Sequence, residues 1–103
     1  HGDFAIVGVG TLMTLDAGNR IHRIACVLIG IDYHPIRLTD IEADLMGQTP
    51  SEDIFRTAGE KTRERDMMED ALVPESYRKQ LSSVLLRRSL TSAAQRAAGE
   101  KNV

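Results

Sequence analysis

The side chains with the most reactive chemistry in this sequence are few, and their spacing does not suit catalysis. The three histidines, His1, His22 and His34, share no metal-ligand spacing with one another. There is no CxxC pair, no HExxH, no P-loop and no GxSxG elbow. No Ser/His/Asp arrangement is legible from spacing either. Cys26 is the one cysteine and lies in an apolar run. It reads as a small core residue; the other reading, a reactive thiol, lacks a basic neighbour in sequence to lower its pKa. Gly8 and Gly10 frame a Gly-Val-Gly stretch that invites comparison with a phosphate loop, but Thr-Leu-Met-Thr follows where such a loop needs a helix start. The glycines fit better as places where a backbone or a neighbouring element comes close. The sequence therefore offers no catalytic residue and no metal site.

Two charged features remain. The run at residues 60–66 alternates in sign, as on a solvated helix end or a docking surface. Arg88 continues the stripe Tyr77, Leu81, Val84 and Leu85 by one helical turn, which aims it at packed structure. It either pairs with a buried carboxylate, Glu42 by preference and Asp70 in reserve, or packs its stem and extends its head to water.

The elements that position these residues can be read from periodicity. Phe4 to Leu15 is β-prone and reads as a strand. Asp16-Ala17-Gly18-Asn19 is a turn. Arg20 to Asp32 is a second strand, antiparallel to the first through the short turn. Its far end is apolar on both faces, which predicts cover on both sides. Ile36-Arg37-Leu38 follows His34-Pro35 as a short third strand. At Thr39 the period becomes helical. Thr39-Asp40-Ile41-Glu42 has the form of a capping box, and Gly47 suits the residue after the helix end. Thr49-Pro50-Ser51-Glu52 repeats the device, with Pro50 in the first turn. That second helix carries Ile54, Phe55 and Ala58 before it turns charged. Met67 to Val73 is a loop. Pro74 opens the longest helix, through about Ala98, with a second stripe of Leu86, Leu90, Ala93 and Ala97 nearly opposite the first. Strands first and helices after predict an α+β fold: a three-stranded antiparallel sheet with three helices on one face.

Composition sets the outer limits. At 103 residues the chain is one domain, 1–103, with a single core. Two Tyr, two Phe and no Trp leave that core aliphatic. The net charge of −2 and interleaved charges argue against nucleic acid as a partner. No apolar run approaches the ~20 residues of a membrane span. A lone cysteine fits a reducing, cytoplasmic setting. The opening His1-Gly2-Asp3, without Met, looks like a piece of a longer polypeptide.

Three stretches carry a family resemblance. His1-Gly2-Asp3-Phe4-Ala5-Ile6-Val7-Gly8-Val9-Gly10 resembles the first strand of the C-terminal domain in the FAD-binding (medium) subunits of molybdenum hydroxylases, the carbon monoxide/xanthine dehydrogenase family. Ile29-Gly30, His34-Pro35-Ile36-Arg37, Glu42, Leu45 and Gly47 resemble its next signature, Pro-x-Arg followed by Glu-x-x-Leu-x-Gly. Tyr77-Arg78-Lys79-Gln80-Leu81 and Leu86-Arg87-Arg88-Ser89-Leu90 are similar to its Tyr-Arg opening and Arg-bearing last helix. The matches fall in family order and span most of the chain. The family's Asp-x-Arg-Ala-Ser before the Tyr-Arg pair is replaced here by Glu69 to Ser76. Where the xanthine dehydrogenase branch has a lysine near the flavin ring, this sequence has Ile6, which points to the carbon monoxide dehydrogenase-like branch.

The resemblance implies a division of labour. FAD would be held by preceding domains of the same subunit, molybdopterin by a large subunit, and [2Fe–2S] clusters by a small one. This domain would support the flavin pocket and the subunit contacts for electron transfer from molybdenum through iron–sulfur to FAD. It would bind no cofactor by itself and catalyse nothing alone. Ile6 would lie near the flavin, while Arg37, Glu42, Gly47, Tyr77 and Arg88 would be structural. The alternative is a stand-alone interaction module that uses the two-sided last helix.

Overall fold

The computed structural model describes residues 6–99. Its elements run β1 (Gly8–Leu15), β2 (Ile21–Ile29), β3 (Ile36–Arg37), α1 (Thr39–Leu45), α2 (Glu52–Thr62) and α3 (Glu75–Ala97). The sheet order is β1-β2-β3 with both pairings antiparallel, and the three helices follow, so the α+β reading holds. The start expected for β1 at Phe4 lies outside the described residues. The hairpin turn forms because Asp16 Oδ1 accepts the backbone N–H groups of Gly18 and Arg20, each at 2.9 Å, while Asn19 takes the left-handed conformation at φ 62°.

Strand alternation sends Val9, Thr11 and Met13 of β1, with Leu28, Cys26 and Ile24 opposite them, to one face. That face meets Leu38, Ile41 and Leu45 from the α1 side and Leu86 and Leu90 from α3 in one core. The other face carries Leu12 across from Ala25 and Gly8 across from Ile29. Leu12 is 77 % exposed and Ile29 is 52 % exposed. The cover expected on both sides of β2 is thus missing among the described residues, because all three helices lie on the inner side. β2 also ends before Asp32. Gly30 adopts φ +96°, and a Cβ there would collide with the Ile6 carbonyl oxygen, so this residue must be glycine for the chain to cross at that point.

Two local expectations are corrected and a third is extended. First, Thr39 is not the cap of α1. Leu38 occupies that position with no side-chain hydrogen bond, and the Glu42 carboxylate is used elsewhere. Second, α2 is capped by Ser51 rather than Thr49. Ser51 is extended at φ −154°, ψ 157°, and its Oγ accepts Ile54 N–H at 3.3 Å. Glu52 and Asp53 then fall in the first turn, where the helix dipole favours acids. Third, the charged end of α2 is exposed at Glu60, Arg63, Glu64 and Asp66, as expected of a solvated end, but it also makes ion pairs that spacing did not foretell. Lys61 reaches Asp44 at 2.5 Å and Arg65, just beyond the helix, reaches Asp40 at 2.5 Å, both tying back to α1.

α2 packs chiefly on α3, and small residues let it do so. Gly59 is buried against Ser83, where an added Cβ would come within 2.6 Å of the Ser83 carbonyl oxygen. Thr62 and Ser82 are fully buried at the same crossing. The Thr62 hydroxyl donates to the Gly59 carbonyl at 2.5 Å, so burial leaves it satisfied.

Candidate functional site

Glu42 is the one buried carboxylate among the described residues, 8 % exposed. Ile41 and Leu45 turn α1 inward and carry Glu42 to the edge of the sheet. There its Oε2 accepts the backbone N–H of Cys26 at 2.9 Å and also the Nε of Arg37, while Oε1 accepts Arg37 Nη2 at 2.9 Å. Cys26 gives its carbonyl to Leu38 N–H at 2.9 Å. β3 therefore stops pairing at Leu38, and the carboxylate takes the place of the next rung of the ladder. Burial raises the proton affinity of Glu42. The Arg37 hydrogen bonds, the Cys26 N–H and the Arg37 charge outweigh it, so its pKa falls below the usual carboxylate range. The thiol of Cys26 is pushed up to about 11, chiefly by burial, and is unreactive at neutral pH.

The far end of α1 is tied to β2 as well. Gly47, left-handed at φ +80°, donates its N–H to the Ile21 carbonyl at 2.9 Å, and Ile21 N–H donates to the Gln48 carbonyl at 2.9 Å. Arg37, Glu42 and Gly47 thus form one unit that fastens α1 along β2. Residues brought together by the Pro-x-Arg and Glu-x-x-Leu-x-Gly spacing hold α1 against the sheet, and Arg37 also lines an open surface groove with His22 and Met46.

The last helix contradicts the expected placement of Arg88. The buried line of α3 is Arg78, Ser82, Leu86, Leu90 and Ala93, so the inner stripe is the second of the two read from the sequence. Tyr77 and Arg88 fall on the outer side and are exposed. Glu42 is engaged by Arg37 and Asp70 by Arg78, and Arg88 has no ion pair among the described residues. The inward arginine is Arg78, 6 % exposed. Its Nη1 donates to the carbonyls of Met68 at 2.9 Å and Val73 at 3.1 Å, and its Nη2 to Asp70 at 3.4 Å. Asp70 in turn accepts Leu72 and Val73 N–H, each at 2.9 Å; those two bonds chiefly, with Arg78 behind them, lower its pKa. The loop before α3 is thereby wound around one guanidinium. Spacing did not single out Arg78; the Tyr-Arg pair at the head of the helix was the signal that contained it.

Ile6 is half-buried, and its carbonyl lies over Gly30. Gly8 and Gly10 are paired within the sheet with Ile29 and Val27 rather than forming a loop at a helix start. No cluster of His, Cys, Asp or Glu among the described residues could hold a metal ion.

The model of the CO dehydrogenase flavoprotein C-terminal domain family matches residues 1–93. Among solved structures, quinoline 2-oxidoreductase from Pseudomonas putida 86 is similar at TM-score 0.85 and 22 % identity, over 93 % of this chain and 34 % of that one. A carbon monoxide dehydrogenase from Hydrogenophaga pseudoflava aligns at TM-score 0.81 and 22 % identity, over 92 % and 33 % respectively. The reconstituted CO dehydrogenase from Oligotropha carboxidovorans aligns at TM-score 0.80 and 22 % identity, over 93 % and 34 %. The chain spans about a third of the length of these structural relatives. A search of curated proteins returns no match.

Proposed function

The chain belongs to the CO dehydrogenase flavoprotein C-terminal domain family, and on that premise we propose that it is a single non-catalytic domain, residues 1–103, of the FAD-binding subunit of a molybdenum-dependent oxidoreductase. The observation that carries this reading is the family match over residues 1–93. The fold shared with structures of CO dehydrogenase and quinoline 2-oxidoreductase, each about three times as long, supports it. In this reading FAD is bound by the N-terminal domains of the same subunit. Molybdopterin and [2Fe–2S] clusters belong to the large and small partner subunits, and the electron path from molybdenum to FAD runs outside this domain.

The contribution of this chain is mechanical. The Arg37–Glu42–Gly47 unit holds α1 against β2, Arg78 holds the loop to α3, and among the described residues the resulting block leaves its outer sheet face and the start of β1 uncovered, where other domains would meet it. Ile6, just ahead of β1, would offer the flavin an apolar contact and no proton or charge. No helix of the described residues is long and apolar enough to cross a membrane. In this reading the parent enzyme works in the cytoplasm. The test is the flavin content of the parent polypeptide purified in its native complex. The reading predicts FAD bound to the same polypeptide that carries this domain. A parent polypeptide without flavin would overturn it.

A further inference from the structure

β1 is an edge strand, paired on one side with β2 and on the other with nothing among the described residues. Its eight residues, Gly-Val-Gly-Thr-Leu-Met-Thr-Leu, contain no charge and no proline. A register shift at Thr14/Leu15, at the strand's end, is its one irregularity. Soluble proteins ordinarily guard such edges with lysine, proline, a central bulge or a covering element, because unpaired N–H and C=O groups recruit other strands. An edge left so bare is suited to being paired.

The surroundings of this edge have their own chemistry. α3 runs beside β1, joined to it where Ser89 Oγ donates to Thr11 Oγ1 at 2.8 Å. An open groove lies between them, with Gly8 and Gly10 on one wall and Leu85, Arg88, Ser92 and Arg96 on the other. Arg88 has no ion pair among the described residues, and Arg96 donates to Ser92 Oγ at 3.2 Å. The adjoining groove toward the end of β1 adds Arg87, with Glu52 as the one acid on its rim. Cationic side chains without acidic partners thus flank a strand edge that has hydrogen bonds to offer.

We propose that the free edge of β1 accepts an extended segment of another polypeptide as a fourth strand, with carboxylate side chains on one face of that segment meeting Arg88 and Arg96. Main-chain bonds to the edge would supply affinity, and the alternate side chains would supply selectivity. A second copy of this chain fits poorly. Pairing β1 with its own copy would bring the two Arg88 and Arg96 sets toward one joint, and β1 has no carboxylate to offset them. Ile6 and Val7, the described residues leading into β1, pass over Gly30 on the β2 side and do not supply the strand.

The experiment uses the 103-residue chain and two synthetic peptides, one alternating valine with glutamate and a control alternating valine with lysine. Binding is followed by titration, and backbone amide exchange of residues 8–15 reports the site. The glutamate peptide is expected to bind and slow exchange along β1. Because Arg88 and Arg96 are exposed, Arg88→Glu with Arg96→Glu should fold normally, weaken that peptide by at least about ten-fold and turn preference to the lysine peptide. Equal binding of both peptides, binding without protection of β1, an unchanged affinity in the double variant, or concentration-dependent protection by self-association would each overturn the proposal.

Discussion

Arg78 and Arg88 stand on the same helix and have opposite surroundings. Arg78 is buried at the head of α3, where one guanidinium closes the preceding loop through two carbonyls and a carboxylate. Arg88 is exposed beside the β1 edge. Both look alike in a helical projection, since apolar residues lie on both sides of α3. The difference teaches that an arginine's role here follows from which side of α3 meets the core, and that this was decided by small residues. Ser82 and Ser83 are buried because α2 and α3 approach closely through Gly59. One arginine belongs to the folded block and the other to its surface.

The sharpest way to break this comparison is to remove each arginine. Arg78→Ala should cost about 3 kcal/mol in urea denaturation, at the low end for loss of a buried charged partner because water reaches Asp70. An equal loss from Arg88→Ala would erase the distinction. Next in size is Glu42→Ala, which leaves the buried Cys26 N–H unpaired and should cost roughly 1–3 kcal/mol. Gly59→Ala tests the crossing that sets the phase of α3. Forcing a methyl group against the Ser83 carbonyl should cost about 1–2 kcal/mol, read as a lower thermal midpoint.

A pH series adds a smaller effect of known sign. Glu42 and Asp70 have pKa values lowered on folding, so the unfolded chain takes up their protons first as pH falls. Their contribution is complete above the ordinary carboxylate range and is lost as pH drops below it through the folded values. Glu42→Gln should flatten that acid limb of the stability curve, and an unchanged limb would mean Glu42 does not titrate as described. The smallest effect is expected at Arg88, where Arg88→Ala should change stability by no more than about 0.5 kcal/mol.

The hairpin and the switch to helices were legible because alternation through Ile24, Cys26 and Leu28 gives way at Thr39 to helical spacing of Leu38, Ile41 and Leu45. The Pro-x-Arg and Glu-x-x-Leu-x-Gly residues were also visible, but not what they do. Thr39 and Glu42 have the spacing of a capping box, and nothing local reveals that an amide sixteen residues earlier competes for the carboxylate. The phase of α3 was hidden for a related reason. Leu81, Val84 and Leu85 are as apolar as Leu86, Leu90 and Ala93, and the deciding contacts come from α2, distant in sequence. The open outer face of the sheet was misread because apolar residues on both faces of β2 say that cover is wanted, not whether this chain provides it.

The claim on which the rest depends is that this domain completes a flavoprotein subunit without itself holding the cofactor. Titration of the 103-residue chain with FAD, followed by flavin fluorescence, tests it most directly. The account predicts no saturable change through the micromolar range, because the glycines of β1 are tied into a sheet and Ile6 offers only an apolar contact. Saturable binding at micromolar FAD would contradict it and place the cofactor site within this chain.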